Sequence, residues 1–132
     1  MSYIFDTNVI SDLIRNPRGK VGERIAVLQD GDLVTSIIVA AELRYGIAKK
    51  GSERLARLVE AVLGAFEVLP WEAPAEIHYA AVRDGLSRSG QLIGDMDMLI
   101  AAHALALDAV LVTDNEREFS RVPGLKIENW LR

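Results

Sequence analysis

No cysteine occurs in the 132 residues. That excludes disulfides and thiolate metal sites, and it is compatible with a reducing compartment. There is no excess of positive charge either. Fifteen lysines and arginines face 19 aspartates and glutamates, for a formal net charge of −4. Taken alone, that argues against a nucleic-acid partner, because phosphate backbones draw Lys and Arg. No apolar run approaches the ~20 residues that a membrane span needs. The opening residues Met1 to Asp6 carry no basic segment, and their apolar run is cut short by Asp6, so no secretory signal is expected. The cytoplasm is the expected location, without membrane association. Internal repeats, low-complexity tracts and linkers are missing as well.

What is present is globular. Half of the residues are hydrophobic and 26% are charged. The length suits one domain over residues 1–132, and such a chain buries roughly two-thirds of its unfolded surface. Short apolar runs alternate with helical patterns. Tyr3-Ile4-Phe5, Leu33-Val34-Thr35, Glu67-Val68-Leu69, Ala109 to Val112 and Lys126 to Glu128 read as strands. After the first, Thr7 or Asn8 can cap a helix carrying Val9, Ile10, Leu13 and Ile14, stopped by Asn16-Pro17. Val21 to Leu28 reads as a helix ended by Asp30-Gly31. Ser36 can cap a helix through Val39, Leu43 and Tyr45 that ends near Gly46 to Lys50. Further helices run through Leu55 to Leu63, from Pro74 to Gly90, and from Met96 to Leu107. Strands separated by helices imply parallel pairing through right-handed crossovers. The expected fold is a three-layer α/β domain with a short central parallel sheet flanked by helices.

In open α/β sheets, sites form beyond the carboxyl ends of the strands. The first strand ends on Asp6, and the fourth on Thr113-Asp114-Asn115. Glu42 lies on the helix after the second strand, within reach of the same edge. Asp97 lies in the first turn of the helix after Gly94, with Ala101, Ala104 and Asp108 on its face. Each has a plainer reading. Asp6 suits a helix cap, Glu42 a solvated helix face, and Asp114 and Asn115 a turn. Asp95 and Asp97 both suit a helix N-terminus, and spacing does not choose between them. His103, Trp71 and Trp130 read as packing residues.

The combination carries the chemistry. If Asp6, Glu42, Asp97 and Asp114 share one pocket, the rest of the chain is formally neutral, since −4 less four carboxylates leaves 0. Its basic residues are then available as a rim, among them Arg15, Arg18 and Lys20, and Arg44, Lys49 and Lys50. Clustered carboxylates repel, and hard divalent cations with oxygen ligands resolve that repulsion. Mg²⁺ keeps several waters, one of which can become a nucleophile, and phosphodiester hydrolysis follows.

These residues also carry a likeness. Phe5-Asp6-Thr7-Asn8-Val9-Ile10, then Ala41-Glu42-Leu43-Arg44-Tyr45-Gly46, then Gly94-Asp95-Met96-Asp97 running into Leu99-Ile100-Ala101-Ala102-His103, and Leu111-Val112-Thr113-Asp114-Asn115 resemble the PIN-domain ribonucleases. More narrowly they are similar to the VapC-type toxins of bacterial toxin–antitoxin pairs. The likeness runs from Tyr3 to about Trp130. It implies that the third acid is Asp97 rather than Asp95, and that Asp6 and Asp97 hold Mg²⁺ or Mn²⁺. For the last acidic position Asp114, Asn115 and Glu118 compete, with Asp114 favoured. Thr7, Asn8 and Thr113 are supporting candidates. The resemblance further implies cleavage of RNA, tRNA in close relatives, inhibition of translation, a homodimer, and a VapB-type antitoxin that blocks the acidic pocket.

Two other classes fit less well. Haloacid-dehalogenase-type phosphatases need a second Asp two positions after the first, where this chain has Asn8. Response-regulator receiver domains need an acidic pair after the first strand and a lysine after the last core strand. An inactive PIN-like domain that only binds a partner is the remaining alternative.

Overall fold

In a computed structural model that describes residues 2–29 and 32–132, strand β1 (Tyr3–Phe5) lies at the centre of a sheet. β2 (Leu33–Ser36) and β3 (Glu67–Leu69) extend it on one side. β4 (Val110–Val112) and β5 (Ile127–Glu128) extend it on the other. All four pairings are parallel, with Ile4 opposite both Val34 and Leu111. Strands covered on both faces must be apolar throughout. Ile4, Phe5, Val110, Leu111 and Val112 are accordingly buried, whereas Glu67 on the edge strand is exposed.

The helices are α1 (Thr7–Arg15), α2 (Lys20–Ala26), α3 (Ile37–Lys50), α4 (Glu53–Gly64), α5 (Ala75–Arg88), α6 (Asp95–Leu107) and a single turn, α7 (Glu116–Phe119). The sequence pattern predicts all but α7, which is too short for periodicity to reveal. α2 ends at Ala26 rather than Leu28, leaving Val27 82% exposed. The expected Asp30-Gly31 stop falls outside the described residues. α1 is capped by Asp6, not by Thr7 or Asn8. α3 runs through Gly46 and stops at Gly51, whose φ of 64° favours a residue without a Cβ. At Gly22 a Cβ would stand 2.1 Å from the Pro17 carbonyl oxygen, so only glycine lets α2 turn in against α1.

α6 is apolar almost all round. Met98, Ile100, Ala101, Ala102 and Ala104 are each at most 1% exposed, as a helix enclosed by the domain must be. Asp108 is not on its inner face. It is the left-handed C-cap, exposed and paired with Lys126 at 3.4 Å. The apolar stripe of α4 packs inward through Val59 and Leu63, leaving Leu58 39% exposed. Tyr45, placed by the helical pattern with Val39 and Leu43, points outward instead. Trp130 is buried, its ring edge-on to Tyr3 and Phe5 with centroids 5.1 Å apart. Burying a side chain of that size is worth about 2–3 kcal/mol. Among the described residues no helix is long and apolar enough to cross a membrane.

Candidate active site

The strand order reverses between β1 and β4, and a crevice opens beyond their carboxyl ends. Asp6 leaves β1 at this point. Its backbone N–H donates to the Val112 carbonyl at 2.9 Å, which ties the two strand ends together. Its carboxylate accepts from the Thr7 N–H at 2.8 Å and from the Thr113 hydroxyl at 2.7 Å. Asp6 is therefore both a helix cap and a member of the crevice. It is 4% exposed, and burial pushes its pKa up despite those two hydrogen bonds.

The helices on either side deliver the rest. Thr7 begins α1, and its hydroxyl donates to Glu42 on α3 at 2.7 Å. Asp97 stands in the first turn of α6. Burial, and the negative charges of Asp6, Glu42 and Glu118, raise its pKa from 3.8 to about 6. Among the described residues no lysine or arginine forms an ion pair with Asp6, Glu42 or Asp97. The result is an open cavity of about 440 Å³ lined by Asp6, Thr7, Asn8, Ser11, Arg15, Glu42, Asp97 and Asn115.

The residues after β4 divide. The Thr113 hydroxyl, besides donating to Asp6, accepts from the Asn115 N–H at 2.9 Å. That turn carries Asn115 into the cavity, where its amide lies 3.5 Å from the Asp97 carboxylate. Asp114 is directed outward. It is exposed, its carboxylate accepts from Asn129 at 3.0 Å, and it does not line the cavity. Of the two, Asn115 lines the cavity and Asp114 does not. Asn8 is a bracket, accepting the Asp114 backbone N–H at 3.2 Å. Glu118 reaches Asp97 through its charge and pairs with Arg121 at 3.9 Å. Ser11 escaped the sequence reading, although it follows Thr7 by one helical repeat and faces the same way.

His103 lies apart. It is 3% exposed, its Nδ1 is 2.8 Å from the Ser36 hydroxyl, and burial lowers its pKa. It packs, as do Trp130 and Trp71, whose indole N–H donates to the Leu99 carbonyl at 2.9 Å.

Asp6 and Asp97, with Glu42 behind them, are the candidates to hold a divalent cation. The donor set is all oxygen, which suits Mg²⁺ or Mn²⁺. Among the described residues no three acidic or histidine side chains form a complete cage. Mg²⁺ does not require one, because it keeps several waters and takes one or two carboxylates. The pKa of Asp97 is raised first by burial and then by the neighbouring carboxylates, and the second contribution is the one such a cation would relieve.

Comparison with known proteins shows the family. The PIN domain profile matches residues 3–125. The chain is 35% identical to Ribonuclease VapC2 of Rickettsia felis over 132 residues, covering 98% of each chain. It is 37% identical to the tRNA(fMet)-specific endonuclease VapC of Salmonella typhimurium, again over 98% of each. Among solved structures it resembles that of VapBC2 from Rickettsia felis bound to a promoter DNA fragment. The TM-score is 0.92 at 35% identity, over 98% of this chain and 99% of that one.

Proposed function

The chain belongs to the PIN-domain family, as a VapC-type ribonuclease toxin of a toxin–antitoxin system, and from that premise we propose that it is a divalent-cation-dependent endoribonuclease that cuts tRNA and so inhibits translation. One observation carries the reading. Asp6, Glu42 and Asp97, far apart in sequence, meet in an open cavity where their charges oppose one another without a cationic partner among the described residues.

Asp6 and Asp97 would hold Mg²⁺ or Mn²⁺. Such an ion supplies an acidified water and neutralises the attacked phosphate. The protein's own part is orientation. Thr113 and the Thr7 N–H fix the Asp6 carboxylate, and the Thr7 hydroxyl fixes Glu42. Glu42 would accept a proton from an attacking water. Asn115 brings a neutral donor beside Asp97, where another carboxylate would add to the repulsion.

Close relatives named for tRNA(fMet) cleavage motivate the tRNA assignment. Solved relatives named as VapBC complexes motivate a VapB-type antitoxin as partner. A homodimer working in the cytoplasm completes the proposal. The test is cleavage of tRNA by purified protein with Mg²⁺ or Mn²⁺ and with chelator. Cleavage should occur only with metal. Asp97→Asn should reduce it at least ~100-fold, about 3 kcal/mol of transition-state stabilisation. Undiminished cleavage by Asp97→Asn, or cleavage in chelator, would overturn the assignment. Metal-independent binding of a partner protein without any cleavage would favour an inactive PIN-like domain.

A further inference from the structure

Two helices leave the carboxylate cavity side by side, and they carry matching stripes. On α1 the stripe is Thr7, Ser11, Arg15, and on α3 it is Glu42, Gly46, Lys50. Each steps by four residues, so each keeps to one helix face. The near ends are joined by the Thr7–Glu42 hydrogen bond. The far ends are cations, about 12 Å along each helix axis. Arg15 and Lys50 are exposed, and neither has an ion-pair partner among the described residues. Arg15 lines both the carboxylate cavity and a second groove of about 240 Å³. Lys50 lines that groove and the next, which also holds Arg54. The grooves thus form one continuous path from acidic to basic, with a largely apolar floor and, among the described residues, no aromatic side chain in its walls.

We propose that Arg15 and Lys50 are phosphate-positioning residues that grip the backbone of a single RNA strand beside the bond to be cut. This rests on the ribonuclease reading above. The charge order fits a strand whose reacting phosphate sits at the metal-binding carboxylates and whose neighbouring phosphates need cations of the protein's own. Without aromatic walls the path offers no stacking platform, so it holds the backbone and is tolerant of base sequence. Both cations also lie at helix C-termini, where the helix dipole alone favours them. Dipole stabilisation affects melting and not RNA, so the two roles separate by experiment.

The experiment pairs binding with kinetics. Anisotropy of a labelled single-stranded oligoribonucleotide is measured against salt, in chelator so that nothing is cut, and KM and kcat are measured with Mn²⁺. Arg15→Gln and Lys50→Gln should each weaken binding about 5-fold and flatten the salt slope by about 0.7, the loss of one single-strand phosphate contact. KM should rise about 10-fold with kcat within about twofold. Arg15→Lys should restore most of the slope. Gly46→Gln offers a second route. Gly46 lines the groove and a Cβ there meets nothing within 4 Å, so the backbone tolerates a side chain at this position, and one that extends along the groove should raise KM again. Unchanged slope and KM in the charge variants overturn the proposal, as would a groove reserved for a protein segment. A fall in kcat alone overturns it too, by making these residues catalytic. A wild type that binds with the expected slope but never cleaves sinks the ribonuclease reading and leaves the path standing.

Discussion

Asp97→Asn should make the metal-free protein more stable above about pH 6 and leave it unchanged or slightly weaker near pH 4. The pKa of Asp97 rises from 3.8 to about 6 on folding, because of burial and the carboxylates of Asp6, Glu42 and Glu118. Between those values the folded state binds more protons than the unfolded, so stability falls as pH rises. The penalty is absent below about 3.8 and complete above about 6. Two pH units correspond to about 3 kcal/mol. The carboxylate is only half-buried, and solvent screening reduces the penalty to about 1–2 kcal/mol. Asparagine has nearly the same shape and can still accept from Asn115. It loses the favourable interaction of an anion with the first turn of α6, about 0.3–1 kcal/mol. The net gain is about 0.5–1.5 kcal/mol, or roughly 2–5 °C in melting temperature for a domain of this size.

The assay is a set of melting curves for wild type and variant, in chelator at about pH 4 and about pH 7.5, and with Mn²⁺ at the higher pH. The difference between proteins is the readout, because it cancels the titration of every other carboxylate. At ten times its dissociation constant, metal stabilises the wild type by about 1.4 kcal/mol, and it should do less for the variant. A variant that melts lower than wild type by the same amount at both pH values, with an equal metal shift, would refute the placement of Asp97 among like charges.

Two further predictions concern the same site and the assembly. Asp6→Asn should also melt higher in chelator at neutral pH, although most substitutions destabilise, because it removes a buried charge while keeping an acceptor for the Thr7 N–H. A melting point at or below wild type would reduce Asp6 to a helix cap. The proposed homodimer should appear in light scattering as twice the 14.5 kDa chain mass at micromolar concentration, and a purely monomeric species would count against it.

The strands and long helices were legible because burial leaves a periodic trace. β1 and β4 are short and wholly apolar, and α1 keeps Val9, Ile10, Leu13 and Ile14 on one side. Strand order left no such trace. Nothing local says that β4 rather than β3 lies beside β1, since that is decided by which crossovers cover which face of the sheet. α4 is a helix, as the pattern through Leu55 to Leu63 implies. The structure directs Val59 and Leu63 into the chain's own core, because α4 closes over α1 and α3. An amphipathic pattern shows that a face is covered and leaves open by what.

The site was legible to the extent that its residues lie at element ends. Asp6 follows directly from the strand end, and Glu42 from a helix that begins at the neighbouring strand, whereas the helix start leaves Asp95 and Asp97 open and only the family resemblance chooses Asp97. Choosing between Asp114 and Asn115 is a different kind of problem. They are adjacent in a turn, both are polar, and their side chains leave in opposite directions. The Thr113 hydroxyl decides it: in donating to Asp6 it is placed to accept the Asn115 N–H, and that turns Asn115 inward and Asp114 toward Asn129. Electrostatics points the same way. Asp97 already carries the repulsion of three carboxylates, and a fourth brought into the cavity would raise its pKa further and weaken it as a metal ligand at neutral pH. An amide there adds a hydrogen-bond donor without adding charge. The turn after β4 thus keeps a further acid out of the cavity, and Asp114, which the resemblance favours, is the one the fold turns away.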